Sequence, residues 1–126
     1  TASLLAGGWI PGANIANVEF WDGTAWAEGA DLTVAKANAG SAMSGTQTST
    51  MVFGGNAPGV VDTNEEYDGT SWTEVADFPT AKMAQGSFTG GTSAAFGIFG
   101  GSAAPAVPSV TTFEFTKPQN IKVITD

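Results

Sequence analysis

The sequence predicts an all-β fold of repeated, four-stranded antiparallel sheets. Three observations carry this. Glycine supplies 17 of 126 residues, about twice the usual ~7%, and Thr (16) and Ala (20) are abundant; this suits short strands joined by tight turns better than a helical bundle. Charged residues are only 13%, yet there are four Trp and eight Phe, too many aromatics for a disordered chain. The third observation is that the sequence repeats.

Phe20-Trp21-Asp22-Gly23-Thr24-Ala25-Trp26 returns 46 residues later as Glu66-Tyr67-Asp68-Gly69-Thr70-Ser71-Trp72. Glu28, Ala30 and Asp31 match Glu74, Ala76 and Asp77 at the same offset, and Ala35-Lys36 matches Ala81-Lys82. Gly40-Ser41 matches Gly86-Ser87, and Phe53-Gly54-Gly55 matches Phe99-Gly100-Gly101. The first double glycine, Gly7-Gly8, lies 47 residues before the second, which places one extra residue in a loop Trp9–Asn17.

The second unit reads as strands at 38–44, 49–54, 62–67 and 71–76. Gly45-Thr46, Gly55–Val60, Asp68-Gly69 and Asp77–Thr80 are the breaks. Asp-Gly between aromatic-bearing strands predicts a type I′ hairpin turn, with positive φ at both central residues. Four antiparallel strands per ~46 residues is the size of a propeller blade. Three units follow: 1–34, a partial blade lacking its first strand; 35–80, a complete blade; and 81–126, a degenerate one. In the last, Phe113 takes the Tyr67 position and Thr116–Asn120 replaces the Asp-Gly turn. Ile121–Thr125 alternates apolar and polar, as an exposed or edge strand does. Terminal repeats often differ because they cap.

These features resemble kelch-type β-propeller repeats, the kind also found in the central domain of galactose oxidase. The carriers are the apolar strands ending in Gly54-Gly55 and Gly100-Gly101, the Tyr67 and Trp72 pair, and Pro79-Thr80-Ala81-Lys82, where Lys36 or Lys82 stands in a place that is often Arg. The stretch Glu65–Glu74 looks more narrowly like the kelch-like arrays of marine bacteriophage structural and tail-fibre proteins. Propellers typically close with 4–8 blades and just under three are present, so the expectation is a part of a larger or oligomeric propeller, for instance two chains making six blades, unstable or aggregating when isolated.

Composition narrows the chemistry. The net charge is −8, with four Lys, no Arg, no Cys and no His. Disulfides, thiolate metal sites and His-activated nucleophiles are excluded. Nucleic acid is not an expected partner without clustered Lys and Arg. No apolar run reaches the ~18 residues of a membrane span, and no basic segment marks a secretory signal. The copper site implied by the galactose-oxidase likeness needs His ligands and a Cys-linked Tyr, which this chain lacks. No enzymatic activity, cofactor or metal is expected.

Several residues still invite inspection. The double glycines Gly7-Gly8, Gly54-Gly55 and Gly100-Gly101 read as strand ends where sheets approach, since no phosphate-binding Gly-Lys-Ser/Thr follows them. Asp22 and Asp68 read as turn formers. Asp62-Thr63-Asn64-Glu65-Glu66, the densest acidic stretch, lacks the alternation of a calcium loop; Glu65 and Glu66 point to opposite faces and read as solvated strand positions. Trp21, Trp26, Tyr67 and Trp72 recur with the repeat and are expected in packing between sheets. Trp9 has no counterpart, so it is a candidate for stacking on a sugar or anchoring a protein.

The variable loops Trp9–Asn17, Asn56–Asp62 and Ser102–Pro108 are the expected recognition surface, with Trp9, Pro11, Asn14, Asn17, Asn56, Pro58, Asp62 and Pro105 as candidates. The function these readings favour is a non-enzymatic structural or binding module: a virion component, in a tail fibre or surface appendage, that meets the host surface or other subunits and is virion-borne or extracellular. Its expected partners are other virion subunits or the rest of its own polypeptide, and a host-surface glycan or protein. The alternative is a carbohydrate-binding or protein-interaction propeller outside a virus.

Overall fold

The computed structural model describes residues 2–42, 46–83, 86–88, 95–104, 107–116 and 120–124. Among them there is no helix, and the strands form antiparallel sheets. The first sheet is β1 (Ser3–Ile10), β2 (Ala13–Trp21) and β3 (Trp26–Glu28). The second is β4 (Gly40–Ser41), β5 (Thr50–Phe53), β6 (Asn64–Tyr67) and β7 (Trp72–Val75). The third comprises β8 (Gly86–Phe88), β9 (Ala95–Phe99), β12 (Thr112–Thr116) and β13 (Asn120–Ile124), interrupted after β9 by a ribbon of β10 (Ser102–Ala104) and β11 (Val107–Pro108). Each of the three is a meander of neighbouring strands.

The second sheet lies between the other two. All four residues of β5 are buried, which explains its unbroken apolar run: a strand covered on both faces has no solvent side to alternate with. Met51 and Phe53 face one way and join Val75, Phe78, Ile98, Phe113 and Phe115. Val52 faces the other way and joins Val18, Leu32, Tyr67 and Trp72. Phe78 meets Phe53 edge-on at 5.9 Å and stacks on Phe113 at 5.3 Å. Fully burying an aromatic or aliphatic side chain of this kind contributes about 1.5–3 kcal/mol.

The strand register carries the sequence repeat. Leu4 pairs with Phe20 as Met51 pairs with Glu66, and Trp21 with Trp26 as Tyr67 with Trp72. The third sheet corrects one expectation. Phe96 pairs with Phe115 where Thr50 pairs with Tyr67, so Phe115, not Phe113, holds the Tyr67 position, and Ile121 opposite it replaces Trp72. The longer connection that causes this shift contains the β10–β11 ribbon.

Four local readings also change. Trp9–Asn17 is not an open loop: β1 and β2 form one hairpin turning at Pro11-Gly12, with Gly12 at φ 95°, as a Pro-Gly type II turn requires. Gly7-Gly8 does not end its strand but sits at a bulge within β1, whereas Gly54-Gly55 and Gly100-Gly101 do follow β5 and β9. The Asp-Gly turns are not type I′, because only Gly23 and Gly69 have positive φ. Instead Asp22 Oδ1 accepts the Thr24 and Ala25 amides, and Asp68 Oδ1 those of Thr70 and Ser71, at 2.7–2.9 Å. The strand expected at 38–44 is only Gly40–Ser41, with 43–45 outside the described residues.

The largest departure is Glu65, expected in solvent and found fully buried. Lys36, equally buried, lies 2.8 Å from its Oε1. Thr33 donates to Oε2 through its amide (2.6 Å) and its hydroxyl (2.7 Å), and Lys36 Nζ donates to Thr63 Oγ1. The backbone around Lys36 is anchored as well: Gly8 N donates to Lys36 O at 2.9 Å. A Cβ on Gly7 would sit 2.5 Å from that same carbonyl, so only glycine permits the approach.

The arrangement recurs around Lys82. Gly55 N donates to Lys82 O at 2.7 Å, and Lys82 N to Val61 O as Lys36 N to Ile15 O. Where Glu65 pairs with Val52, however, Phe113 pairs with Ile98. Lys82 Nζ lies 4.5 Å from the centre of the Phe113 ring and donates to Thr111 O at 3.0 Å. Burial holds this ammonium below the ordinary lysine pKa.

The two lysines should differ in what their loss costs. Lys36→Met strands the Glu65 carboxylate and is expected to cost about 3–5 kcal/mol of unfolding free energy. Lys82→Met leaves only carbonyls and a ring, and is expected to cost about 1–3 kcal/mol. Denaturant unfolding of the two variants side by side reads the difference, and equal losses count against it. The Asp turns carry a pH dependence. The Ala25 and then the Thr24 amide hold the exposed Asp22 carboxyl below its ordinary pKa of 3.8, and Ser71 and then Thr70 do so for Asp68. A carboxyl depressed by folding stabilises above its unfolded pKa, and that contribution fades as pH falls through the folded value. Stability measured downward from about pH 4 should therefore fall less steeply in Asp22→Asn/Asp68→Asn than in the parent.

Candidate functional site

The β1–β2 hairpin projects from the bulge at Ala6–Gly8, a device that re-aims a strand. Near its tip Trp9 and Asn14 are cross-strand partners. Trp9 is 65% exposed. The connection between β5 and β6 approaches from the neighbouring sheet. Asn14 Nδ2 donates to Asn56 O at 2.7 Å, and Asn56 exchanges backbone hydrogen bonds with Ala37 at 2.8 and 3.0 Å. Asn38, one residue on, has φ 52°, a left-handed conformation that Asn tolerates better than most residues.

Together Trp9, Gly12, Ala13, Asn14, Ala37, Asn38, Asn56 and Pro58 line a cleft of about 510 Å³. None of these side chains is charged. What the lining offers is one indole face, three carboxamides and a proline ring over a floor of small residues: stacking and neutral hydrogen bonds. A second cavity, about 630 Å³, runs between the edge of β1 (Ser3–Gly8) and Asn38–Ala42, on the side of β1 where the second and third sheets have a further strand.

Of the residues expected at a site, Trp9, Asn14, Asn56 and Pro58 converge on the cleft. Pro11 is exposed at the hairpin turn beside it. Asn17 lies elsewhere, donating to Glu28 Oε1 at 3.2 Å. Asp62 is half-buried outside the cleft lining, its carbonyl accepting the Phe78 amide at 3.0 Å. Pro105 falls outside the described residues. Asn38 was not anticipated; an Asn among Ala and Gly in a connection is the kind of residue that occupies left-handed backbone. The acidic stretch 62–66 offers no open cation site: Asn64 and Glu65 are buried and Glu65 is taken by Lys36. Among the described residues no cluster of three or more metal-ligating side chains occurs.

The chain is similar to the solved structure of YjhT, with a TM-score of 0.78 at 11% identity over 98% of this chain and 48% of that one. The likeness concerns the fold alone, and this chain spans about half the length of its match. No family model matches the chain, and no curated protein does.

The Asn14–Asn56 bond fastens the hairpin to its neighbour. Asn14→Ala should cost about 1 kcal/mol of stability and speed amide exchange at Asn56 and Ala37, measurable by hydrogen exchange with the turn at Asp68 as internal control.

Proposed function

We propose that this chain is a non-enzymatic binding module, part of a kelch-like β-propeller in which each meander is a blade and the Trp9 cleft is the seat of recognition. Three features support the propeller reading: successive meanders packed face to face, the first strands β4 and β8 in contact, and inter-sheet contacts that recur every 46 residues. The blades are then 1–34, 35–80 and 81–126, just under three, and the ring is completed by the rest of a longer polypeptide or by other chains. The setting favoured by the likeness to phage arrays is a virion appendage, with the cleft turned to a host surface or a neighbouring subunit.

The observation that carries the recognition reading is the cleft itself. Two segments that vary between repeats meet there, and they present an exposed indole beside the carboxamides of Asn38 and Asn56, which have no partner among the described residues. Nothing in the lining titrates near neutral pH, so the site is suited to holding a partner and not to moving protons. The test is adhesion of the chain, in its native assembly, to the cells or particles it accompanies. Trp9→Ala should weaken binding at least tenfold, roughly 1.4 kcal/mol, with the circular dichroism spectrum unchanged. Undiminished binding by the variant would refute the assignment.

A further inference from the structure

We propose that the Trp9 cleft takes a neutral saccharide, an inference that rests on the binding-module reading and names its ligand class. The indole is exposed and makes no ring contact with any described residue. An aromatic face carries partial negative charge, and the C–H groups lining one side of a pyranose ring are its natural complement.

The polar groups point the same way. Asn14 is fixed by its bond to Asn56 O, while the side-chain amides of Asn38 and Asn56 have no partner among the described residues. Each amide offers donors and an acceptor, the pairing that a sugar hydroxyl, itself donor and acceptor, can satisfy at one centre. The backbone that carries these amides is placed by the two bonds between Asn56 and Ala37, with Asn38 following Ala37 in a left-handed conformation.

Charge sets the remaining limit. The cleft lining contains no cation, Lys36 and Lys82 are buried, and the chain carries −8, so sialylated, sulfated or phosphorylated ligands find no countercharge in the lining and a net charge of their own sign. A volume of about 510 Å³ lies within the range of small-ligand sites. A peptide is the less fitting occupant, because an anchor side chain would find a lining of carboxamides and small residues with a single indole and a single proline ring.

The experiment titrates the chain, in its native assembly, with neutral di- and trisaccharides (lactose, maltose, chitobiose), their sialylated or sulfated counterparts, and a proline-rich peptide, read by tryptophan fluorescence and calorimetry. The expected result is saturable binding of at least one neutral sugar. Affinity should fall about tenfold or more in Trp9→Ala and severalfold in Asn56→Ala, with most of it retained in Trp9→Phe. Preference for the anionic sugars, or binding of the peptide alone, overturns the inference. If Trp9→Ala abolishes surface adhesion while no saccharide binds, the module reading stands and the saccharide falls. If adhesion ignores Trp9, both fall.

Discussion

The fold depends on a lysine that leaves one sheet and ends in the next. A meander with an apolar face cannot bury it alone, and face-to-face packing by apolar contact is tolerant of sliding. Lys36 removes that freedom. Its carbonyl is held by Gly8 of the first sheet and its ammonium by Glu65 and Thr63 of the second. The cost of desolvating two charges is offset only where the geometry is good and the remaining lone pairs are filled. Thr33 fills them, with both its amide and its hydroxyl on Glu65. The pair therefore selects one relative position of the two sheets more than it adds net stability.

The second strap shows what happens when the acid is replaced. Phe113 stands where Glu65 would be, and the residue corresponding to Thr33 is Pro79, which has no amide proton to give. Acceptor and donor disappear together, so no half of the network is left unsatisfied. Lys82 instead lies over the ring and donates to carbonyls. The outer face of the first sheet makes the converse point. Glu19, Leu5 and Trp26 occupy the positions of Glu65, Val52 and Trp72, yet they are exposed because no sheet among the described residues packs against them. Burial in a repeated fold is a property of the neighbour as much as of the residue.

That dependence decides what the sequence could reveal. The strands, their antiparallel order and the edge character of β13 follow from periodicities within a segment, and they were legible. So was the singularity of Trp9, which breaks the repeat. Glu65 was not: a Glu on a strand reads as solvent-facing unless the lysine from the connection before β4 is known to reach it. The Asp turns misled for a related reason. Asp-Gly is compatible with more than one turn, and which forms depends on whether the carboxylate can cap the following amides, as Asp22 and Asp68 do. Phe115 displaced Phe113 because an insertion folded into its own ribbon.

The cleft is built on the same strap. Residues 36 to 38 run from the buried lysine, through Ala37 bonded to Asn56, to Asn38 at the cleft wall. The backbone of this frame recurs: Ala37 bridges Asn56 as Met83 bridges Ser102. The side chains do not recur. At the positions of Trp9 and Asn14 the next unit has Asn56 and Val60, and Met83 replaces the small Ala37. A repeated backbone thus offers the same frame more than once, and between the first two sheets the residues on it form an aromatic, amide-lined recess. The frame of the cleft comes from the repeat, and its chemistry comes from where the repeat is broken.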